Sequence, residues 1–467
     1  MTDDPARLTA AELSEQYRRG TLTPVDALQA TLERVARLNP RINAFAVLNP
    51  RALEAAHESA QRWRAGHVLS PIDGVPCTVK DLIDLAGFPT RRGSRTTSAE
   101  AVAGDAPISA ALKRAGAVII GKTTTTEFGW KTPGDSPLHG ITRNPWNVAH
   151  TPGGSSSGAA AAAAAQFGPL HVGTDAGGSV RIPAAWCGLV GLKPSFGRIP
   201  QWPLGAFGGV ACAGPMTRTV EDCALLFAAL ARHDACDPYS LPDDPQDYRA
   251  SLERGVAGLS IGILRRPGFE APIDPEAIIA VERAAAILTD AGASVENAEP
   301  GLPDTRLVFG RVWSVALAAL VAGIPADQHA LLDAGLRQVA AGAGSVPATD
   351  MLAAESMRLQ AAHAMARLHR RYDLVLCPTV PGPPPLAGEQ ADDPAAALWQ
   401  DWAPWTFTFN LTRQPAITVP LGLTRPGLPR SVQLAAALYR DDLVLRAARV
   451  LELAKPLPPA PLLDFAA

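Results

Sequence analysis

Thr151-Pro-Gly-Gly-Ser-Ser-Ser-Gly158, the alanine block Ala159–Ala165 and His171-Val-Gly-Thr-Asp-Ala-Gly-Gly-Ser-Val-Arg-Ile-Pro183 carry most of what this chain says about itself. Two serines, Ser155 and Ser179, sit in glycine-rich surroundings on either side of the alanines. Glycine enters positive φ without a Cβ penalty, so a glycine pair before a serine lets backbone N–H groups converge on one point. Such a nest of N–H groups holds a developing oxyanion. Gly177 and Gly178 precede Ser179, and the apolar run Leu170–Gly173 reads as the strand that delivers them. Nucleophile and oxyanion hole are thereby placed on one turn. The alanine block favours helix, and its N-terminus, at Ser155–Ser157, brings positive helix-end potential to the same place.

A serine hydroxyl is a weak nucleophile at neutral pH and needs a base. Upstream, Gly74-Val-Pro-Cys-Thr-Val-Lys-Asp81 ends a short β-type run on Lys80. A lysine buried there has its pKa driven down from about 10.4 and acts as a neutral base. Together these segments resemble the amidase signature family of serine hydrolases. The resemblance is dense from Gly74 to Pro215, including Gly121-Lys-Thr123, Arg143-Asn-Pro-Trp146 and Gly188-Leu-Val-Gly-Leu-Lys-Pro194. It returns at Tyr372–Thr379 and at Phe409–Pro420, and is loose in the middle third.

The resemblance implies a role for each matching position. The family's catalytic lysine falls on Lys80, its bridging serine, with a cis peptide, on Ser155, and its nucleophile on Ser179. Its oxyanion hole falls on the N–H groups of Ala176, Gly177, Gly178 and Ser179. Ser156 and Thr174 match positions that hydrogen-bond within the triad, although loop hydroxyls also close ordinary turns. Gly129 and Trp130 match positions beside the acyl pocket, with core packing the plain alternative for the tryptophan. Where the family often reads Gly-Gly-Ser-Ser-Gly-Gly-Ser, this chain has Ser157 and Ala159 at the fifth and seventh places; neither place carries the triad. From the residues themselves, Asp175 and Arg181 flank the nucleophile and are suited to bracing its turn, a surface ion pair being the alternative.

The rest of the chain narrows the reading. A net charge of −3 over 467 residues offers no basic field for nucleic acid or anionic lipid. The six cysteines (Cys77, Cys187, Cys212, Cys223, Cys236 and Cys377) form no Cys-x-x-Cys pair, and reduced thiols in a cytoplasmic protein are expected. The opening Met-Thr-Asp-Asp-Pro is unlike a signal peptide, and the alanine run is too short and too weakly apolar to span a bilayer. No His-Glu-x-x-His or comparable ligand spacing exists, so neither metal nor cofactor is expected. Gly116-Ala-Val-Ile-Ile-Gly-Lys-Thr123 fits the P-loop pattern literally, but its four middle residues are strand formers whose N–H groups belong in a sheet.

Read in order, Thr9-Ala-Ala-Glu12 opens a first helix with a capping box, and Thr23-Pro24 a second. A helix over Asp105–Ala115 leads through Gly116 into a buried strand, Ala117–Ile120. Thr219-Val-Glu-Asp222 starts a helix to about Ala231, Gly258–Leu264 is a strand, Asp274-Pro275 caps a helix ending before Gly292, and Ser294 starts a further strand. Residues Leu302–Ala354 are helical in tone. Asp350 is expected to cap a helix to about Arg371, before the strand Leu374–Cys377 and a proline-rich loop, Pro378–Pro394. Strands Ala416–Leu423 and Val432–Leu438 follow, and Asp441 caps a last helix. With no repeat and no clear linker, one α/β domain over residues 1–467 is expected, a mixed β-sheet covered by helices on both faces. Its catalytic core spans about 71–215 and its variable, substrate-side region about 240–370.

These readings combine into a cofactor-free amidohydrolase with a Ser-Ser-Lys triad, acting on a small-molecule amide, with no nucleic acid or membrane partner; a homodimer is compatible with it. The alternative is the glutamine-hydrolysing subunit of a tRNA-dependent amidotransferase. Such subunits usually carry Gln where this chain has Ile182, and Met-Asp-Glu-Phe where it has Thr125-Thr-Glu-Phe128, and both departures favour the stand-alone hydrolase. A catalytically dead binding protein is disfavoured by the presence of all three triad residues.

Overall fold

The computed structural model describes residues 4–344, 346–388 and 400–461. Its strands are β1 (Phe45–Leu48), β2 (Pro76–Lys80), β3 (Val118–Thr123), β4 (Asp135–Ser136), β5 (Gly140–Ile141), β6 (Leu170–Asp175), β7 (Val190–Lys193), β8 (Cys212–Thr217), β9 (Ser260–Ile263), β10 (Ser294–Asn297), β11 (Leu374–Pro378), β12 (Ala416–Leu423) and β13 (Pro429–Ala436). Strands β4 and β5 pair only with each other. The other eleven form one sheet in the order β1-β3-β2-β6-β8-β7-β12-β13-β11-β9-β10. It is mixed: β3-β2-β6 and β11-β9-β10 run parallel, and the remaining pairs antiparallel. The chain is a single large α/β domain.

Side-chain alternation sorts the sheet's two faces. On β3, Ile119 packs with the helices Pro107–Arg114 and Val220–Leu230, and Cys77 and Val79 of β2 join the same cluster. Val118 and Ile120 pack the other way, against the helices Pro24–Ile42 and Ser157–Ala164. On β2, Thr78 and Lys80 therefore take the face of the alanine-rich helix. The register then slips: Cys77 pairs with Ile119, but Thr78 pairs with Gly121, so β3 carries one extra residue. A bulge of this kind reverses the facing of the residues beyond it. Thr123 comes beside Lys80, and Lys122 beside Val79 on the opposite face.

The helix Ser157–Ala164 is buried on every side, which its small side chains permit. At Gly158 a Cβ would stand 2.3 Å from the Ala44 carbonyl oxygen and 2.4 Å from the Thr124 nitrogen, so only glycine lets this helix reach β3. The expected capping box forms at Thr9/Glu12, and Thr23, expected as an N-cap before Pro24, makes a second box with Asp26.

Four local expectations are corrected. The helix read from Asp105 starts at Pro107, and Asp105 instead holds Lys113 at 2.7 Å. The helix after Pro347 starts at Ala348, so Asp350 lies in its first turn and pairs with Arg311 (3.2 Å). Asp441 occupies the first helical position, where its carboxylate accepts from the N–H and hydroxyl of Ser195. Strand β13 begins at Pro429, because its ladder with β12 extends to the Leu423–Pro429 pair, and ends at Ala436. Of the proline-rich loop, the part beyond residue 388 lies outside the described residues, as do the first three residues of the chain.

The middle third forms the helices Thr305–Ala322, Ala334–Ala343 and Ala348–Leu368. Thr305–Ala322, rather than the alanine run, has the length and apolarity to cross a membrane by those criteria alone, with a mean hydropathy of 1.5. Val308, Phe309, Trp313 and Leu317 on this helix are buried in an apolar cluster with Phe407 and Leu411. Trp313 stacks on Phe207 at 3.7 Å between ring centroids. The helix is thus a packed layer of the domain, with Leu307 exposed on its outer side.

Candidate active site

Strands β2 and β6 are parallel neighbours, and both end at the same place: Lys80 is the last residue of one, Thr174 and Asp175 the last of the other. Ligands of open α/β sheets bind outside such carboxyl ends. Lys80 is fully buried, as is Ser156, while Ser155 is 2% and Ser179 8% exposed.

Lys80 Nζ lies 2.8 Å from Ser155 Oγ, 2.9 Å from Ser156 Oγ and 3.0 Å from Thr174 Oγ1. No carboxylate pairs with it among the described residues. Burial therefore drives its pKa well below the ordinary lysine value, and the more distant charge of Asp175 only partly opposes this. One neighbour has its role fixed by its other bonds. Ser156 Oγ donates to the Thr174 carbonyl (3.1 Å) and accepts from the Thr174 N–H (3.3 Å), so toward Lys80 it acts as an acceptor. A neutral amine has two hydrogens and one lone pair. With one hydrogen given to Ser156, the second hydrogen and the lone pair are left to the hydroxyls of Thr174 and Ser155. Ser156 and Thr174, expected as supporting residues, thus both contact the lysine. The Gly154–Ser155 peptide is cis.

Ser179 lies on the turn between β6 and the helix Arg181–Trp186. Asp175 templates that turn. Its carboxylate accepts from the N–H groups of Gly178 (2.8 Å) and Val180 (3.1 Å), from Arg181 Nε (2.9 Å) and Nη2 (2.9 Å), and from Asn410 Nδ2 (3.0 Å). Burial alone would raise its pKa; the charge and hydrogen bonds of Arg181, with Asn410, bring it down to about 2. Arg181 spends its remaining donors on Thr406 O, Gln433 Oε1 and Asn410 Oδ1. The Asp175–Arg181 pair is fully buried, not a surface ion pair. Gly178 has φ 133°, and a Cβ there would stand 2.4 Å from Thr406 Oγ1. The turn needs glycine at this position.

The oxyanion-hole expectation is corrected at one residue. The Gly178 N–H is committed to Asp175, because the carboxylate that shapes the turn takes it as an acceptor. The N–H groups of Ala176, Gly177 and Ser179 have no partner among the described residues, and Ala176 and Ser179 line the cleft.

That cleft is a cavity of about 100 Å³ bounded by Ser155, Thr174, Ala176 and Ser179 on the catalytic side and by Leu82, Arg92, Phe128, Gly129, Gln201, Phe207 and Leu320 around it. Gly129 is at the wall, as expected. Trp130 is not: it is fully buried in the apolar cluster with Trp313 and Leu336, because the turn at Phe128 (φ 51°) and Gly129 (φ 76°) sends the next side chain inward. Sequence reasoning missed Arg92, Gln201, Phe207 and Leu320, and also Asn410, Thr406 and Gln433 behind the turn. Asn410 stands in the Phe409–Pro420 match itself, whereas Arg92, Gln201 and Phe207 lie inside the Gly74–Pro215 resemblance but in none of the stretches quoted for it.

The P-loop-like run is part of β3, as its residue types indicated. Lys122 holds Asp81 (2.9 Å) and donates to Pro89 O and Thr90 Oγ1, both at 2.8 Å. Asp81 is thus paired on the face opposite Lys80.

A buried lysine bonded to Ser155 and paired with no carboxylate, at a cleft that Ser155 and Ser179 both line beside unpartnered backbone N–H groups, is equipment suited to an acyl-transfer hydrolase. The model of the Amidase family matches residues 26–445, and the chain belongs to that family. It is 34% identical to an acylamidase of Rhodococcus erythropolis, over 96% of both chains. It is 32% identical to a subunit of the glutamyl-tRNA(Gln) amidotransferase of Geobacter metallireducens, over 95% of this chain and 96% of that one. Among solved structures, a 6-aminohexanoate cyclic dimer hydrolase complexed with substrate superposes with a TM-score of 0.88 at 30% identity, covering 98% of this chain and 99% of that one. Amide-bond hydrolysis is the chemistry of this kinship.

Proposed function

We propose that the protein hydrolyses a small carboxylic amide through an acyl-enzyme on Ser179, with Lys80 and Ser155 as the proton relay. The observation that carries this reading is the 2.8 Å contact between Ser155 and a fully buried lysine that has hydroxyls and no carboxylate around it. Neutral Lys80 accepts the proton of Ser155 as Ser155 accepts that of Ser179. Ser179 Oγ attacks the carbonyl carbon, and the tetrahedral oxyanion is received by the N–H groups of Ala176, Gly177 and Ser179. Return of the proton through Ser155 to the amine nitrogen breaks the C–N bond. Water, deprotonated by the same relay, then cleaves the ester and releases the carboxylate. No metal or cofactor enters this scheme.

Leu320 at the cleft wall supports a substrate-side role for the middle third of the chain, within the 240–370 region, with residues 71–215 supplying the chemistry. The amidotransferase reading has relatives of similar identity behind it. Ile182 favours the stand-alone hydrolase: it is buried in an apolar cluster, without the amide that those subunits usually carry at this place. The six cysteines are unpaired, five of them buried, which fits a reducing cytoplasm.

Ser179→Ala tests the assignment. In a panel of aliphatic, aryl and peptide-like amides assayed for amine or ammonia release without added subunits, the parent is active and the variant loses about 10³-fold or more. A folded variant with near-parental turnover refutes the assignment, and activity that needs a partner subunit favours the amidotransferase.

A further inference from the structure

Arg92 is the one charged residue among those that line the cleft. Its backbone is pinned on both sides of the catalytic floor. The N–H donates to the carbonyl of Asp81, the residue after Lys80 (3.1 Å), and its own carbonyl accepts from the N–H of Phe128 in the opposite wall (2.8 Å). It takes a left-handed conformation, φ 53°. The side chain therefore leaves from a fixed root. Among the described residues its guanidinium has no hydrogen bond and no ion pair. The nearby carboxylates are directed elsewhere: Asp81 pairs with Lys122, and Asp84 adds its field to the same lysine. By contrast Arg181, which follows Ser179 on the nucleophile turn, has all its donors engaged.

An unpartnered guanidinium in a small, mostly apolar cleft is a receptor for a planar anion, which it binds through two parallel hydrogen bonds. We infer that the substrate amide bears a carboxylate, and that Arg92 holds it while Ser179 attacks the amide. This rests on the reading of the cleft as an amide-hydrolysing site. The carboxylate belongs either to the acyl part or to the amine part, and two probe pairs distinguish these sources.

The first pair is N-succinyl-4-nitroaniline against the neutral N-butyryl-4-nitroaniline; the second is 4-acetamidobenzoate against 4-acetamidobenzamide. In one pair the parent enzyme prefers the anionic member in kcat/KM by about 10- to 100-fold, the scale of a hydrogen-bonded charge. Arg92→Gln brings that ratio to about 1, Arg92→Lys keeps part of it, and Arg92→Glu reverses it. A parent that hydrolyses neutral probes with a ratio near 1 in both pairs overturns the inference and leaves the hydrolase reading standing. So does a preference that survives in Arg92→Gln. Calorimetric binding of the two anionic probes to Ser179→Ala and to the Ser179→Ala/Arg92→Gln double variant separates the two readings if no probe is turned over. Binding that weakens at least tenfold on losing Arg92 supports the inference, and equal or absent binding overturns it.

Discussion

The ends of β2 and β3 hold two buried lysines on neighbouring strands in contrasting surroundings. Lys80 and Lys122 are both fully buried. The bulge in β3 sends them to opposite faces of the sheet, one toward the cleft and one toward the packed core. On the core side Lys122 meets a carboxylate, Asp81, at 2.9 Å, and the pull of that charge opposes the effect of burial. On the cleft side Lys80 meets three hydroxyls and no carboxylate, and burial acts almost alone. In the proposed mechanism the same side chain is a structural cation in one setting and a base in the other. What decides is the charge of the partner, since hydroxyls accept hydrogen bonds from an amine without requiring it to be protonated.

The largest effect that would break this contrast is on the cleft side. Lys80→Ala is expected to lower kcat/KM by about 10²–10⁴-fold, the usual contribution of a positioned base. Lys80→Arg is expected to be as inactive, because a guanidinium does not give up its proton. Steady-state kinetics on any amide the parent hydrolyses checks both, and an active Lys80→Arg enzyme dissolves the distinction.

On the core side the expected loss is of stability. Lys122→Met strands Asp81 as a buried charge and is expected to cost about 3–5 kcal/mol. The double variant with Asp81→Asn recovers much of this. Denaturant unfolding of the two variants sharpens the comparison. A Lys122→Met protein as stable as the parent shows that the pair is not holding charge.

A smaller effect is expected where the helical middle third meets the cleft wall. Glu127 accepts from Ser94 Oγ (2.6 Å) and from the Asp333 N–H (2.7 Å), beside the ion pairs of Lys131 with Asp135 and Asp333. Burial raises its pKa from 4.5 to about 7. The folded state thus binds this proton more tightly than the unfolded chain, and stability falls as pH rises from 4.5 to about 7. Glu127→Gln is expected to flatten that fall by roughly 1–2 kcal/mol in melts at several pH values. An unchanged slope assigns the pH dependence to other groups.

The two sides also differ in how much of them could be read in advance. Ser155, Ser179 and Lys80 sit in short, glycine-marked stretches whose backbone requirement is local, and strand alternation placed Asp81 away from Lys80. The partner of Asp81 was not legible, because Lys122 reaches that face only through a bulge between Ile119 and Gly121. Arg92 stands in Arg91-Arg92-Gly-Ser-Arg95, a run outside the stretches that carry the resemblance; its contacts to Asp81 and Phe128 hold it at the wall of the cleft. Trp130 had the right neighbours in sequence but comes after a left-handed turn that no periodicity announces. The commitment of the Gly178 N–H to Asp175 depends on how the turn closes, which residue types alone do not specify. The contacts of Arg181 with Thr406, Asn410 and Gln433 join residues more than 200 positions apart, beyond any local signal.

The central claim is that a neutral Lys80 activates Ser179 in the free enzyme, and it can be measured without knowing the substrate. Ser179 is labelled with a fluorophosphonate, and its rate of modification is followed by mass spectrometry as a function of pH. The account predicts that the rate rises through a single ionisation below the ordinary lysine value of 10.5, and that this ionisation and most of the labelling vanish in Lys80→Arg. Labelling of Ser179 at the same rate in Lys80→Arg and the parent, or a rate without that ionisation, contradicts it.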